Sequence, residues 1–193
     1  MQNYKAPALV ALFSVLPLIA HAHPGDHGSI GWSSGCAHPF MGLDHILAMI
    51  AVGLWAAQLG GRALWQVPCA FVSTMLLGGA MGMAGVALPY VEHGVIASIL
   101  VLGLLITFAA RVPAGVSVLL VSFFAIFHGF AHGVEMPANA SGVDYAVGFA
   151  ISTLVLNGIG MGAGVLIRKA GRIQWLRIAG AAIAIMGTVL VLK

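Results

Sequence analysis

Two short stretches hold most of the residues able to do chemistry. One is HPFMGLDH at positions 38–45, the other HGFAH at positions 128–132. On a helix, positions three, four and seven apart share a face. His38, Met41, His45 and Met49 therefore form one stripe, with Asp44 about 100° round from His45. His128 and His132 stand four apart and can grip one ion from a single helix. Imidazole suits nickel, copper, zinc and iron, while carboxylate suits harder ions. Histidines with one aspartate therefore fit a borderline divalent transition metal. Asp44, His45, His128 and His132 are the first-choice ligands, and His38 stands at the mouth. Glu92 with His93 forms a candidate entry. His23 and His27, next to a free terminal amine after processing, form a candidate collecting site.

Each of these positions also has a structural reading. His38 precedes Pro39, which sits naturally in a helix's first turn. His93 reads equally well as an exposed helix-end residue, and His23 and His27 as tail. His128 and His132 can serve as hydrogen-bonding glue between helices. Met41, Met49, Met75, Met81 and Met83 read first as packing. What the structural readings explain badly is that the histidines converge on one side of the chain.

That one-sidedness emerges from the elements that position them. The chain has 193 residues, 61% of them hydrophobic and only 7% charged. A soluble domain carries about 25% charged residues, so this composition predicts a helical protein embedded in a lipid bilayer. The net charge of +3 comes from scattered single residues that form no patch, which argues against nucleic acid. Lys5, the apolar run APALVALFSVLPLIA and the AHA at 20–22 read as a signal peptide over 1–22, leaving His23 as the mature N-terminus. Six spans of about 20 residues follow, near 38–59, 64–86, 91–110, 113–132, 143–167 and 173–192. Short connections predict that sequence neighbours pack side by side.

With the mature N-terminus outside, the inner loops carry Arg62, Arg111, Arg168, Lys169 and Arg172, with Arg177 just inside the sixth span. The outer segments carry Asp26, Glu92, Glu135 and Asp144. This is the positive-inside pattern of a multi-pass bacterial inner-membrane protein with a periplasmic N-terminus. All seven histidines after the signal then belong to the outer half. Cys36 and Cys69 fall towards opposite sides, too far apart for a disulfide's Cα separation of about 7 Å or less.

The glycines carry packing information. Gly78 and Gly82 form a G-x-x-x-G, and NGIGMGAG at 157–164 has glycine at every second position. Both lie inside apolar spans without a preceding strand, so neither is a nucleotide loop. They allow close helix approach, and the second run also suits an unwound, ion-lining segment.

HPFMGLDHILAM resembles the H-P-x-x-G-x-D-H-x-x-x-M signature of the HupE/UreJ family of nickel and cobalt permeases, through His38, Pro39, Gly42, Asp44, His45 and Met49. FHGFAHG resembles that family's second histidine motif through His128, Gly129, His132 and Gly133. YAVGFAISTLVLNGIG resembles its later span through Tyr145, Gly148 and Phe149. The resemblance implies nickel or cobalt as cargo. One departure stands out: where the family often places histidine, this chain has Asn157, whose carbonyl oxygen binds nickel less well than imidazole.

No nucleotide-binding motif is visible, and the loops are too short for a nucleotide domain. The expectation is a permease without enzymatic activity or prosthetic group, whose substrate is a metal ion driven by the membrane potential or by protons. The rival is a haem-binding redox protein holding iron between His45 and His128, which Asp44 makes less attractive. An intramembrane protease is disfavoured because HGFAH lacks the glutamate of H-E-x-x-H.

Overall fold

The computed structural model describes residues 27–192, with side chains described from Gly31 onward. The expected signal peptide and His23 lie outside the described residues, as does the side chain of His27. The described residues contain helices and no strands: α1 (His27–Ala37), a 3-10 turn (His38–Phe40), α2 (Leu43–Leu59), α3 (Ala63–Met83), α4 (Val91–Thr107), α5 (Ala114–Val134), α6 (Gly142–Lys169) and α7 (Ile173–Val191). Four of them, α3, α5, α6 and α7, are long and apolar enough to cross a membrane. At 17 residues α4 is shorter, spanning about 25 Å at 1.5 Å per residue. Leu119, Phe123, Leu166 and Ile185 stand exposed on the outside, as lipid contact requires.

The first span differs from the expectation of one straight helix over 38–59. It is a bent pair, with residues 31–40 meeting α2 at 80°. Pro39 and Gly42 explain the break: proline ends the regular hydrogen bonding, and Gly42 adopts an extended conformation as α2 begins. The proposed stripe is therefore interrupted. Met41 is exposed and Met49 fully buried, and His45 lies in the first turn of α2 rather than two turns inside a helix. The span expected over 38–59 also begins after α1, whose helix precedes it. At 11 residues, α1 is too short to cross a membrane by itself. It is held instead against α6, where the Ser152 hydroxyl donates to the Cys36 carbonyl at 2.8 Å.

Nor do sequence neighbours make the closest pairs. α3 packs chiefly on α5, α2 on α6, and α4 on α7. Small residues select these partners. A Cβ on Gly129 or Gly133 would collide with the carbonyl oxygens of Met75 and Gly79, and one on Gly53 or Gly160 with those of Asn157 and Ile50. Helix backbones approach this closely only where no side chain intervenes. The glycine run at 157–164 divides accordingly. Gly160 and Gly164 face α2, while Gly158 and Gly162 meet nothing. α6 is continuous through the run, so no unwound segment forms there.

The two ends of the bundle differ chemically. At one end, Arg168 donates to the carbonyl of Ala57 in the last turn of α2, and Arg177 donates to Thr107 at the end of α4 at 2.8 Å. Cations suit helix C-termini, where orphan carbonyls carry partial negative charge. The opposite end gathers the start of α2, the end of α5 and the start of α6. Below it lies a core that includes the fully buried Met49, Trp55, Phe71 and Met75.

Candidate metal centre

The break between α1 and α2 brings His38 and His45 to the same place from different elements. His38 lies in the 3-10 turn, and its ring meets His132 edge-on at 4.7 Å between centroids. His45 meets His132 at 4.1 Å and His128 at 5.3 Å. Four imidazoles from the turn, α2 and α5 thus form one cluster. Phe149 stands against His132 at 4.1 Å, and Phe71 against His128 at 5.8 Å.

Hydrogen bonds decide which ring nitrogens are available. Asp44 lies in the first turn of α2, where a carboxylate is favoured by the helix dipole. It accepts from the His45 backbone N–H at 3.0 Å and pairs with His45 Nδ1 at 2.7 Å. An ionised carboxylate accepts only, so Nδ1 carries the proton and Nε2 keeps a lone pair. His45 Nε2 is buried and has no protein partner. In this geometry the Asp44 carboxylate fixes the orientation of the His45 ring, the arrangement that carboxylates commonly make behind metal-binding histidines. Gly42 makes room for this pair: a Cβ there would lie 2.8 Å from His45 Nδ1.

Glu135 is the residue that sequence reasoning passed over as a ligand. It stands at the C-terminal cap of α5, three residues past His132. Its Oε2 lies 3.0 Å from His38 Nε2 and 3.8 Å from His132 Nδ1. One ligand atom from each of His38, His132 and Glu135 fits within 4.8 Å of the others. The signal was available, since H-x-x-E at helical spacing puts both groups on one face.

Burial grades through the cluster. The side chain of Glu135 is 57% exposed, that of His38 20%, His45 12% and His132 3%, while His128 is fully buried. This gradient of burial defines a funnel, with the Glu135 carboxylate at its exposed mouth and the His128 imidazole at its base. Both nitrogens of His132 and Nδ1 of His128 are buried without a protein hydrogen-bond partner. Buried polar atoms are normally satisfied, so these nitrogens are the cluster's candidate ligand atoms.

Three expected contributors lie elsewhere. Glu92 and His93 are exposed in the first turn of α4, and His93 borders an apolar crevice with Tyr90, Phe123 and Phe127. Among the described residues, no contact brings these two side chains to the imidazoles. Asn157 is buried with both side-chain polar atoms unpartnered. Its backbone carbonyl abuts Gly53, two turns below His45 along α2, or about 12 Å. It belongs to a deeper level of the bundle. The geometry also does not fit haem. The rings of His45 and His128 stand edge to face, 88° apart in plane and 5.3 Å apart in centre, which leaves no room for a macrocycle with axial bonds on both faces.

The family model described as HupE / UreJ protein matches residues 10–190. The curated relative Protein HupE of Rhizobium leguminosarum bv. viciae is 46% identical over 176 residues, covering 91% of each chain. No solved structure matches the chain.

Proposed function

The chain belongs to the HupE/UreJ family, and from that premise we propose that it is an uptake permease for a divalent transition metal, nickel foremost and cobalt next. It carries the ion from periplasm to cytoplasm as a six-span inner-membrane protein, with the helix pair α1–α2 and the short α4 each counted as one span. The observation that carries this reading is the convergence of four histidines and Glu135 in one graded funnel. Titratable groups are costly inside a membrane and mark ion pathways. Broken helices near the site are a recurring transporter device, because irregular backbone survives there only where protein or water covers it.

In this mechanism Glu135 and His38 capture the hydrated ion at the mouth. His132, His45 and His128 then replace its water, one nitrogen each. Asp44 keeps the His45 ring turned and raises its basicity. The inward driving force needs no nucleotide. A divalent cation gains about 4.6 kcal/mol per 100 mV, twice the single-charge value, or on the order of a thousandfold accumulation.

Reconstituted protein in liposomes with a negative-inside potential tests the reading. Radiolabelled nickel is expected to accumulate inside, with cobalt competing better than zinc or copper. A variant carrying both Asp44→Ala and His45→Ala that transports like wild type would overturn it.

A further inference from the structure

We propose that Ser98 on α4 is a positioning residue of the metal funnel: it fixes the tautomer of His128 and so selects Nδ1 as the nitrogen that His128 offers to the cargo.

Ser98 and His128 are both fully buried and come from different helices, α4 and α5. The Ser98 hydroxyl lies 2.6 Å from the Val95 carbonyl and donates to it. A hydroxyl has one proton, so Ser98 faces His128 as an acceptor. His128 Nε2 lies 2.8 Å from that oxygen and must therefore be the protonated nitrogen. The other tautomer is poorer on both sides of the ring. It would put an N–H on Nδ1, which has no protein acceptor within reach, and would require the Ser98 hydroxyl to give up its bond to the Val95 carbonyl in order to donate to Nε2.

The consequence is a complementary pair of rings. Asp44 holds a proton on Nδ1 of His45 and leaves Nε2 free. Ser98 holds a proton on Nε2 of His128 and leaves Nδ1 free. The two rings meet edge to face at 5.3 Å. A neutral hydroxyl suits the deeper ring, because it orients the imidazole without placing a second charge at the base of the funnel. α4 thereby contributes to the site, although it supplies none of the clustered ligands. The meaning for cargo binding rests on the uptake reading, while the tautomer assignment stands on the metal-free protein.

The full chain, labelled with nitrogen-15 histidine and stripped of metal by chelator, provides the test at pH 8, where an unperturbed imidazole is neutral. Proton–nitrogen correlation spectra distinguish the two tautomers, and His128→Gln identifies the signal. Wild type should show His128 protonated at Nε2. Ser98→Ala should lose that preference and weaken apparent nickel affinity about tenfold, while Ser98→Thr, which keeps the hydroxyl, should retain both. A proton on Nδ1 of His128 in wild type would overturn the proposal and needs no variant to be stable. So would an unaltered tautomer together with unaltered nickel affinity in Ser98→Ala. If wild type transports no nickel yet shows the expected tautomer, lost in Ser98→Ala and kept in Ser98→Thr, the uptake reading falls and the Ser98 assignment stands.

Discussion

His38 and Glu135 are 97 positions apart in the chain, and His38 Nε2 lies 3.0 Å from Glu135 Oε2. The pair closes the mouth of the funnel between the 3-10 turn and the cap of α5. It joins the segment that carries the first histidine motif to the one that carries the second, and supplies a carboxylate that contacts two of the clustered imidazoles.

Glu135→Gln keeps the shape of the side chain and removes its charge. Nickel capture should fall at least tenfold, since an anionic ligand at the mouth is replaced by a neutral one. His38→Ala should cost a similar factor. Because the two groups touch, the double variant should lose less than the product of the single losses. Initial uptake rates against nickel concentration measure all three.

Asp44→Asn should act through His45. The carboxylate's charge-assisted hydrogen bond to Nδ1 gives way to a neutral one of about half the strength. Apparent metal affinity should drop about 10–100-fold, the usual cost of losing a partner behind a ligating histidine. His45→Ala should cost more, because it removes the nitrogen itself. Calorimetric titration of purified protein with nickel ranks the two.

Metal binding should weaken in acid. Imidazole binds a metal only as the free base, so protons compete for the same lone pairs. The sign is fixed by chemistry: acid releases metal, and metal binding releases protons only at a pH where a ligand imidazole is protonated. Titrations between pH 8 and pH 5 in two buffers of different protonation enthalpy count the protons exchanged.

Gly129→Ala should destabilise the bundle. The added methyl would meet the Met75 carbonyl, where α3 and α5 are closest, and overpacking of this kind costs about 1–3 kcal/mol. Gly162→Ala on α6 meets nothing and should be neutral or slightly stabilising. Thermal unfolding of the two variants in the same detergent gives the comparison, and the glycine runs should prove to differ by face rather than by number.

The sequence by itself determined that this chain is a helical membrane protein, because so few charges cannot cover a water-facing surface. It determined the family, because histidines, proline, glycine and aspartate recur at spacings that packing alone does not require. It also marked His38, Asp44, His45, His128 and His132, since i, i+3 and i, i+4 relations are local and can be read along a helix. Only the tertiary structure decided that α2 packs on α6 and α3 on α5, because partner choice depends on which face each glycine presents. It alone bent the first span at Pro39 and Gly42, where a hydropathy pattern sees one apolar run. It brought Glu135 to His38 and Ser98 to His128, and left Glu92, His93 and Asn157 outside the cluster. Those relations join residues tens of positions apart through helix contacts, and no periodicity within one segment encodes them.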